Sequence, residues 1–217
     1  RARVVVSISG LTVADYAVAA DALAKHAPAG TASDPIVAVE INLSCPNLAG
    51  KKMFAHDVGA AADVITATAG LAYPRWAKLS PNTDALVAVA EACAGAGADA
   101  VTLTNTLLGL VIDTDSRRPA LGGGGGGVSG PGLGPIAVRA VWEVARAMPE
   151  LPIVGVGGVH DANSALQLLM AGASAVQVGT ANFADPRATI RVLDELASWC
   201  DSHGVATIAE LIGAAHP

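Results

Sequence analysis

The chain is 217 residues long, with 52% hydrophobic residues, 3% aromatic residues and a formal net charge of -6. Lys and Arg are scattered, which speaks against a nucleic-acid surface, and no apolar run reaches the ~20 residues that span a bilayer. Cys45, Cys93 and Cys200 stand far apart, without paired or zinc-ligand spacing, a usage that suits a reducing cytoplasm rather than a disulfide framework or a metal centre.

Short β-branched runs alternate with Ala-rich stretches along the chain. A strand is predicted over 4–9 and a helix over 14–26. Strand 36–44 and helix 58–68 follow, then strand 76–80 and helix 84–94. The next pairs are 100–105 with 136–147, 153–157 with 162–170, and 175–179 with 189–203, before a short helix near 207–213. The strands are apolar at nearly every residue, as in a parallel sheet buried on both faces. Gly95 and Gly97, Pro149 and Pro152, and Gly172 punctuate the later units. Repeated β–α order implies right-handed crossovers.

Polar or glycine residues gather just after the strands: Ser9-Gly10, 42–47, 78–82, Asn105-Thr106, Gly157-Gly158 and Gly179-Thr180. That pattern predicts a TIM-type (β/α)8 barrel, whose sites lie at the C-terminal strand ends, with a doubly wound sheet as the alternative. Against the eight units of a closed barrel, the units found here imply that about two N-terminal ones are missing. Residues 1–217 are therefore read as one N-terminally incomplete barrel domain.

Cys45 follows an apolar strand, between the carboxamides of Asn42 and Asn47 and beside Pro46. A lone cysteine is commonly a packing residue. Amides that can hold a polar ligand turn this one into a candidate for chemistry. Cys93 and Cys200, inside helical stretches, read as packing residues. Lys78 interrupts an apolar strand; it either snorkels to solvent or meets an anionic partner. Gly157-Gly158 ahead of a helix opening at Asp161, and Gly179-Thr180 one unit later, read as a phosphate site formed by backbone N–H groups and a helix dipole. Either glycine turn could instead relieve crowding. Asn105 is a turn former or a third amide in the same mouth. The glycine run at 122–127 suggests a flexible linker or a ligand-facing loop, with Gly130 assigned to the ligand. His56-Asp57 reads as a helix cap. Hydrolase triads and Walker-type loops have no counterpart in the order of residues.

These segments together resemble class 1 dihydroorotate dehydrogenases, most closely the NAD-linked class 1B catalytic subunit. The likeness rests on Asn42-Leu43-Ser44-Cys45-Pro46-Asn47, Lys78-Leu79-Ser80-Pro81-Asn82, the stretch 97–109, Gly127-Val128-Ser129-Gly130-Pro131, Val156-Gly157-Gly158-Val159 and the stretch 171–186. The resemblance implies oxidation of (S)-dihydroorotate to orotate in pyrimidine biosynthesis, with FMN as cofactor. It makes Cys45 the base at C5, with hydride passing from C6 to N5 of FMN; the quinone-linked membrane class carries Ser at this place. Asn42 matches a position touching both substrate and FMN, Asn105 and Thr106 the substrate-amide pair, and Asn47 a further orotate contact. Ser7, Lys78, Thr104, Gly130, Gly157, Gly158, Gly179 and Thr180 match FMN contacts, Ser7 standing where the family usually has Asn. Also implied are an iron–sulfur, FAD-bearing electron-transfer subunit as partner, and a cytoplasmic homodimer or heterotetramer. The rivals are another FMN barrel, such as dihydropyrimidine dehydrogenase or dihydrouridine synthase, and a non-catalytic phosphate-binding or interaction module.

Overall fold

A computed structural model describes residues 2–27, 34–44 and 53–217. In chain order the elements are β1 (Val4–Ile8), α1 (Val13–His26), β2 (Ile36–Asn42), α2 (Val58–Ala67), β3 (Arg75–Lys78), α3 (Leu86–Gly95) and β4 (Ala100–Leu103). Four short strands follow: β5 (Leu107–Gly109), β6 (Ile112–Asp113), β7 (Arg118–Pro119) and β8 (Gly126–Val128). The chain then resumes with α4 (Gly134–Ala147), β9 (Ile153–Val156), α5 (Ala162–Met170), β10 (Ala175–Gln177), α6 (Ala181–Ala184) and α7 (Ala188–His203). All six predicted long-range strands form, each ending one to two residues sooner than expected, so the polar strand ends belong to loops. The expected helix at 207–213 is a 3-10 turn, Ile208–Leu211.

The six strands make one parallel sheet in the order β1-β2-β3-β4-β9-β10. Period-two alternation sorts their side chains. Val39, Ile41 and Leu43, then Ala77 and Leu79, then Val101 and Leu103, pack in the apolar core under the helices. Glu40, Asn42, Ser44, Lys78, Thr102 and Thr104 take the opposite face. The helices succeed one another around the outside, α1 on α2, α2 on α3, α3 on α4, α4 on α5 and α5 on α7.

The sheet curls upon itself. Gln177 on the edge strand β10 donates from Nε2 to Glu40 Oε2 at 3.3 Å, and Ser7 on the opposite edge strand β1 donates to Glu40 Oε1 at 3.4 Å. Such a contact between the two margins requires a half-barrel curvature and excludes the flat course of a doubly wound sheet.

Local chemistry sets the element ends. Thr12 and Asp15 form a capping box on α1, and Asp57 caps α2 through Ala60 N at 2.9 Å, as expected of that residue. Tyr16 on α1 is fully buried, stacks edge-on against Phe54 at 5.6 Å, and donates its hydroxyl to Asn42 O at 2.6 Å. An outer helix is thereby tied to the last residue of β2.

The glycine run at 122–127 is neither a free linker nor a bare loop. Gly126 and Gly127 sit in β8, paired antiparallel with Gly109 and Leu108 of β5, while β6 pairs with β7 beyond them. A Cβ on Gly127 would lie 2.3 Å from Thr106 Oγ1, so the missing side chain admits the threonine.

Gly158 has φ +78, and a Cβ there would fall 2.7 Å from the N and Cα of Gly134 at the start of α4. Gly158→Ala should cost roughly 2–3 kcal/mol in urea unfolding. Gly70→Ala, where an added Cβ meets nothing within 4 Å, should stay within about 0.5 kcal/mol. Equal losses at the two positions would contradict this packing.

Candidate functional site

Carbonyl and amide groups just past the strands hold the site in shape. Ser44 donates its hydroxyl to Lys78 O at 3.3 Å, Asn105 N donates to Leu79 O at 2.9 Å, and Thr104 N donates to Val156 O at 2.7 Å. These bonds extend the sheet ladder into the loops and fix where the next side chains emerge.

A cavity of about 620 Å3 opens at this end. Lys78, Thr104, Asn105 and Thr106 form one side of it, Gly130, Gly157 and Gly158 another, and Gly179 and Thr180 a third. Nine of the residues singled out in the sequence thus line one space, although they come from five separate strand ends. Asn42 lies one contact away: its Oδ1 accepts from Asn105 Nδ2 at 3.3 Å and from Ser44 N at 3.2 Å. Ser7 faces Glu40 and is not part of the cavity wall. Cys45 and Asn47 fall outside the described residues.

The amides are not equivalent. Asn105 spends its carboxamide on the protein, donating to Asn42 Oδ1 and to Ser44 O at 3.4 Å while Oδ1 accepts from Thr106 N at 2.7 Å. Among the described residues the Nδ2 of Asn42 has no acceptor, so Asn42 keeps donors to offer. Among the described residues Thr104 Oγ1, on the cavity wall, is buried without a partner, as is Thr102 Oγ1 behind it. Buried polar atoms are nearly always satisfied, so a polar occupant of this space fits Thr104.

Lys78 is half-buried and makes no hydrogen bond or ion pair with the described residues. Burial pulls its pKa below the usual lysine range, and the charge of Glu40 pulls it partly back. Whatever cation it offers to the cavity is therefore lost at a lower pH than for an exposed lysine.

The glycine turns divide in function. Gly158 is demanded by packing and Gly130, at φ +83, by its backbone conformation, but an added Cβ at Gly179 would meet nothing within 4 Å; Gly179 lines the cavity, so there the missing side chain leaves room for a ligand. The expected use of the α5 N-terminus by an anion needs correction. Asp161 is its N-cap and accepts from Ser164 N at 2.8 Å, with Ser164 returning the capping box. A carboxylate already occupies the positive end of that dipole, so an anion here depends on loop N–H groups and cations instead.

Two lining residues, His160 and Arg191, escaped notice in the sequence, while Asp161 is read there only as a helix opening and Asp185 only as part of the stretch 171–186. Arg191 is clamped by Asp185 at 3.3 Å and Glu195 at 2.9 Å, and Glu195 accepts from Ala162 N at 2.9 Å. Their spacing carries no motif. Asn82 was visible only as part of a longer segment. Its Nδ2 donates to Ser80 Oγ at 2.9 Å and Thr106 O at 3.0 Å, and its Oδ1 accepts from Leu108 N at 2.8 Å. It pins the β5–β8 ribbon beside the cavity. Cys93 is buried, and burial pushes its thiol up to about 12; it is a packing residue, as read from the sequence.

Fold and site together define a TIM-type α/β protein with a ligand cavity at the C-terminal strand ends. The family model for dihydroorotate dehydrogenase matches residues 1–199. The catalytic subunit of dihydroorotate dehydrogenase B (NAD(+)) of Desulforamulus reducens is 43% identical over 215 residues, covering 98% of this chain and 68% of that protein. The corresponding subunit of Trichlorobacter lovleyi is 46% identical over 181 residues, covering 82% of this chain. The chain spans 59% of the length of that relative. A crystal structure of dihydroorotate dehydrogenase from Eimeria tenella in complex with ferulenol matches with TM-score 0.74 at 22% identity, over 94% of this chain and 58% of that one, which is a likeness of fold. The chain belongs to the dihydroorotate dehydrogenase family, and within it is most like the NAD(+)-linked B form. No helix of the described residues is long and apolar enough to cross a membrane.

Asn82→Ala should release the ribbon, with exchange of the Leu108 amide rising by about tenfold or more, in keeping with roughly 1–3 kcal/mol for the lost bonds. An unchanged Leu108 exchange rate would show that the ribbon is held by other means.

Proposed function

We propose that this chain is the FMN-binding barrel of an enzyme that oxidises (S)-dihydroorotate to orotate in pyrimidine biosynthesis. The observation that carries this reading is the meeting of Lys78, Thr104, Asn105, Thr106, Gly130 and the two glycine turns around one cavity in a chain of this family. The cavity volume suits a cofactor-sized ligand. Residues 1–217 act in this reading as one barrel domain.

The residues present fit FMN. Gly157, Gly158, Gly179 and Thr180 would hold its phosphate with loop N–H groups, and Gly179 leaves the space that a side chain would fill. Gly130 would lie along the cofactor, Thr104 would give its orphaned hydroxyl a partner, and Lys78 would set a positive charge beside the ring. FMN, when bound, supplies the acceptor for the hydride from C6. Ser7 as a further flavin contact stands on the resemblance alone.

The chain's own part in the reaction is to hold the substrate and move one proton. Asn42, with free amide donors, and Asn47 would bind the polar edge of the substrate, while Asn105 and Thr106 complete the amide rim. Cys45 would take the C5 proton at Sγ. A free thiol titrates near 8.5, so modest activation makes it a competent base close to neutral pH. Reduced thiols suit a cytoplasmic setting, and Cys93 and Cys200 are free. The names of the B-type relatives support an electron-transfer partner subunit, which we assign as iron–sulfur and FAD-bearing, in a homodimer or heterotetramer.

Three measurements test this reading. FMN added to the purified chain should lose fluorescence on binding, and dihydroorotate should then yield orotate, followed by its ultraviolet absorption; a chain that never retains flavin would overturn it. Cys45→Ala should cut orotate formation by about 10²–10⁴-fold with flavin content unchanged, and normal turnover in that variant would remove Cys45 as the base. Flavin affinity should weaken as pH rises through the lowered pKa of Lys78, and Lys78→Arg should abolish that alkaline loss; the same pH dependence in both proteins would assign it elsewhere.

A further inference from the structure

Behind the cavity wall, two residues along from the level of Lys78, the inner face of the sheet carries a carboxylate that the proposed chemistry does not use. Glu40 is 7% exposed, on the inner face of β2. Among the described residues its hydrogen-bond donors are the neutral Ser7, at 3.4 Å, and Gln177, at 3.3 Å. Long bonds to neutral donors are poor compensation for a buried charge. The cation within its field is Lys78, one strand away and two residues further along in register, for Lys78 stands opposite Asn42. Lys78 has neutral neighbours otherwise: Asn42 on β2, Thr102 opposite it on β4, and Val154 beyond on β9.

We infer that Glu40 is a positioning residue, a buried counter-charge tied to both margins of the sheet, which holds the Lys78 ammonium as a cation on the cavity wall. Each group alone would be an uncompensated charge in a poorly hydrated place. Together they are same-face neighbours on adjacent strands, without a direct ion pair, the carboxylate held by Ser7 and Gln177 and the ammonium lining the cavity. The other titratable groups on the cavity wall, His160, Asp161, Asp185 and Arg191, lie at its mouth. Arg191 is paired with Asp185 and Glu195, and Asp161 is engaged by Ser164 and by His160 at 3.6 Å, so Glu40 is the carboxylate left to Lys78. The consequence for a bound flavin rests on the proposed function; the coupling itself does not.

The test reads the lysine directly, in the flavin-free chain. The sequence has four lysines, Lys25, Lys51, Lys52 and Lys78, so carbon-13 labelling at Cε gives few signals, and Lys78 is assigned by its loss in Lys78→Arg. Glu40→Gln, which keeps the shape and can still bond Ser7 and Gln177, should lower the proton affinity of Lys78 about tenfold or more. Glu40→Asp should restore part of that loss. An unchanged Lys78 titration in folded Glu40→Gln would overturn the inference and leave Glu40 as a sheet anchor. Should Glu40→Gln fail to fold, thermal unfolding of Lys78→Met is compared with that of Lys78→Met/Glu40→Gln. The double variant should melt higher, because the uncompensated carboxylate is gone; a double variant melting no higher would overturn the coupling. Because neither readout needs flavin, absence of FMN binding would sink the proposed function without touching this result.

Discussion

Glu40 accepts hydrogen bonds from strands at the two opposite margins of the sheet, from Ser7 and from Gln177, residues 137 positions apart in the case of Glu40 and Gln177. That convergence is possible only if the parallel sheet rolls until its inner side chains meet. The roll follows from how the strands are sorted. Val39, Ile41, Ala77, Leu79, Val101 and Leu103 bury one face beneath the helices, and burial of each large apolar side chain contributes about 1.5–3 kcal/mol. The inner face is left with carboxylate, amide, ammonium and hydroxyl groups. Such a face is stable only when its polar atoms find each other or a ligand. Where they find each other, at Glu40, the sheet is drawn together. Where they do not among the described residues, at the hydroxyl of Thr104 and the ammonium of Lys78, which makes no direct ion pair, the cavity keeps unspent bonding capacity.

The same division explains why the site is built at one end. The inner groups that bond within the protein lie low in the strands, and the strand ends run out into loops anchored by single hydrogen bonds. Tyr16 reaches from α1 to Asn42 O, Ser44 to Lys78 O, and Asn82 to the backbone of Thr106 and Leu108. Each bond couples an outer helix or neighbouring loop to a residue that faces the cavity. A rim assembled this way is precise although it is made mostly of irregular chain, because every irregular segment is referred back to a rigid strand.

Much of this was legible in the residues. Alternation of β-branched runs with Ala-rich stretches identifies all six parallel strands, and polar or glycine residues at the ends of the last four runs mark segments that meet around the cavity. What stayed hidden has physical causes. Glu40 sits inside a run that looks uniformly apolar, and only the curl of the sheet brings Gln177 of the far strand to its carboxylate. The ribbon from β5 to β8 is built largely of glycine, which carries no hydrophobic period. Its order comes from cross-strand pairing and from Thr106 lying against Gly127, both of which are tertiary facts. Asp161 looks like the opening of an anion-binding helix, and whether its carboxylate folds back as a cap is settled by the rotamer and by Ser164. His160 and Asp185, from two loops, and Arg191, from α7, come together with no spacing that would announce them.

Cys93, packed among the side chains of α3 with its thiol held neutral by burial, carries a consequence for handling the protein. Reagents and oxidants attack the thiolate, so the folded state shields this sulfur twice, by access and by ionisation. Modification at Cys93 therefore proceeds through molecules that have opened. The rate at which that one sulfur is blocked is a measure of how often the barrel wall comes apart in native buffer, obtained without heat or denaturant.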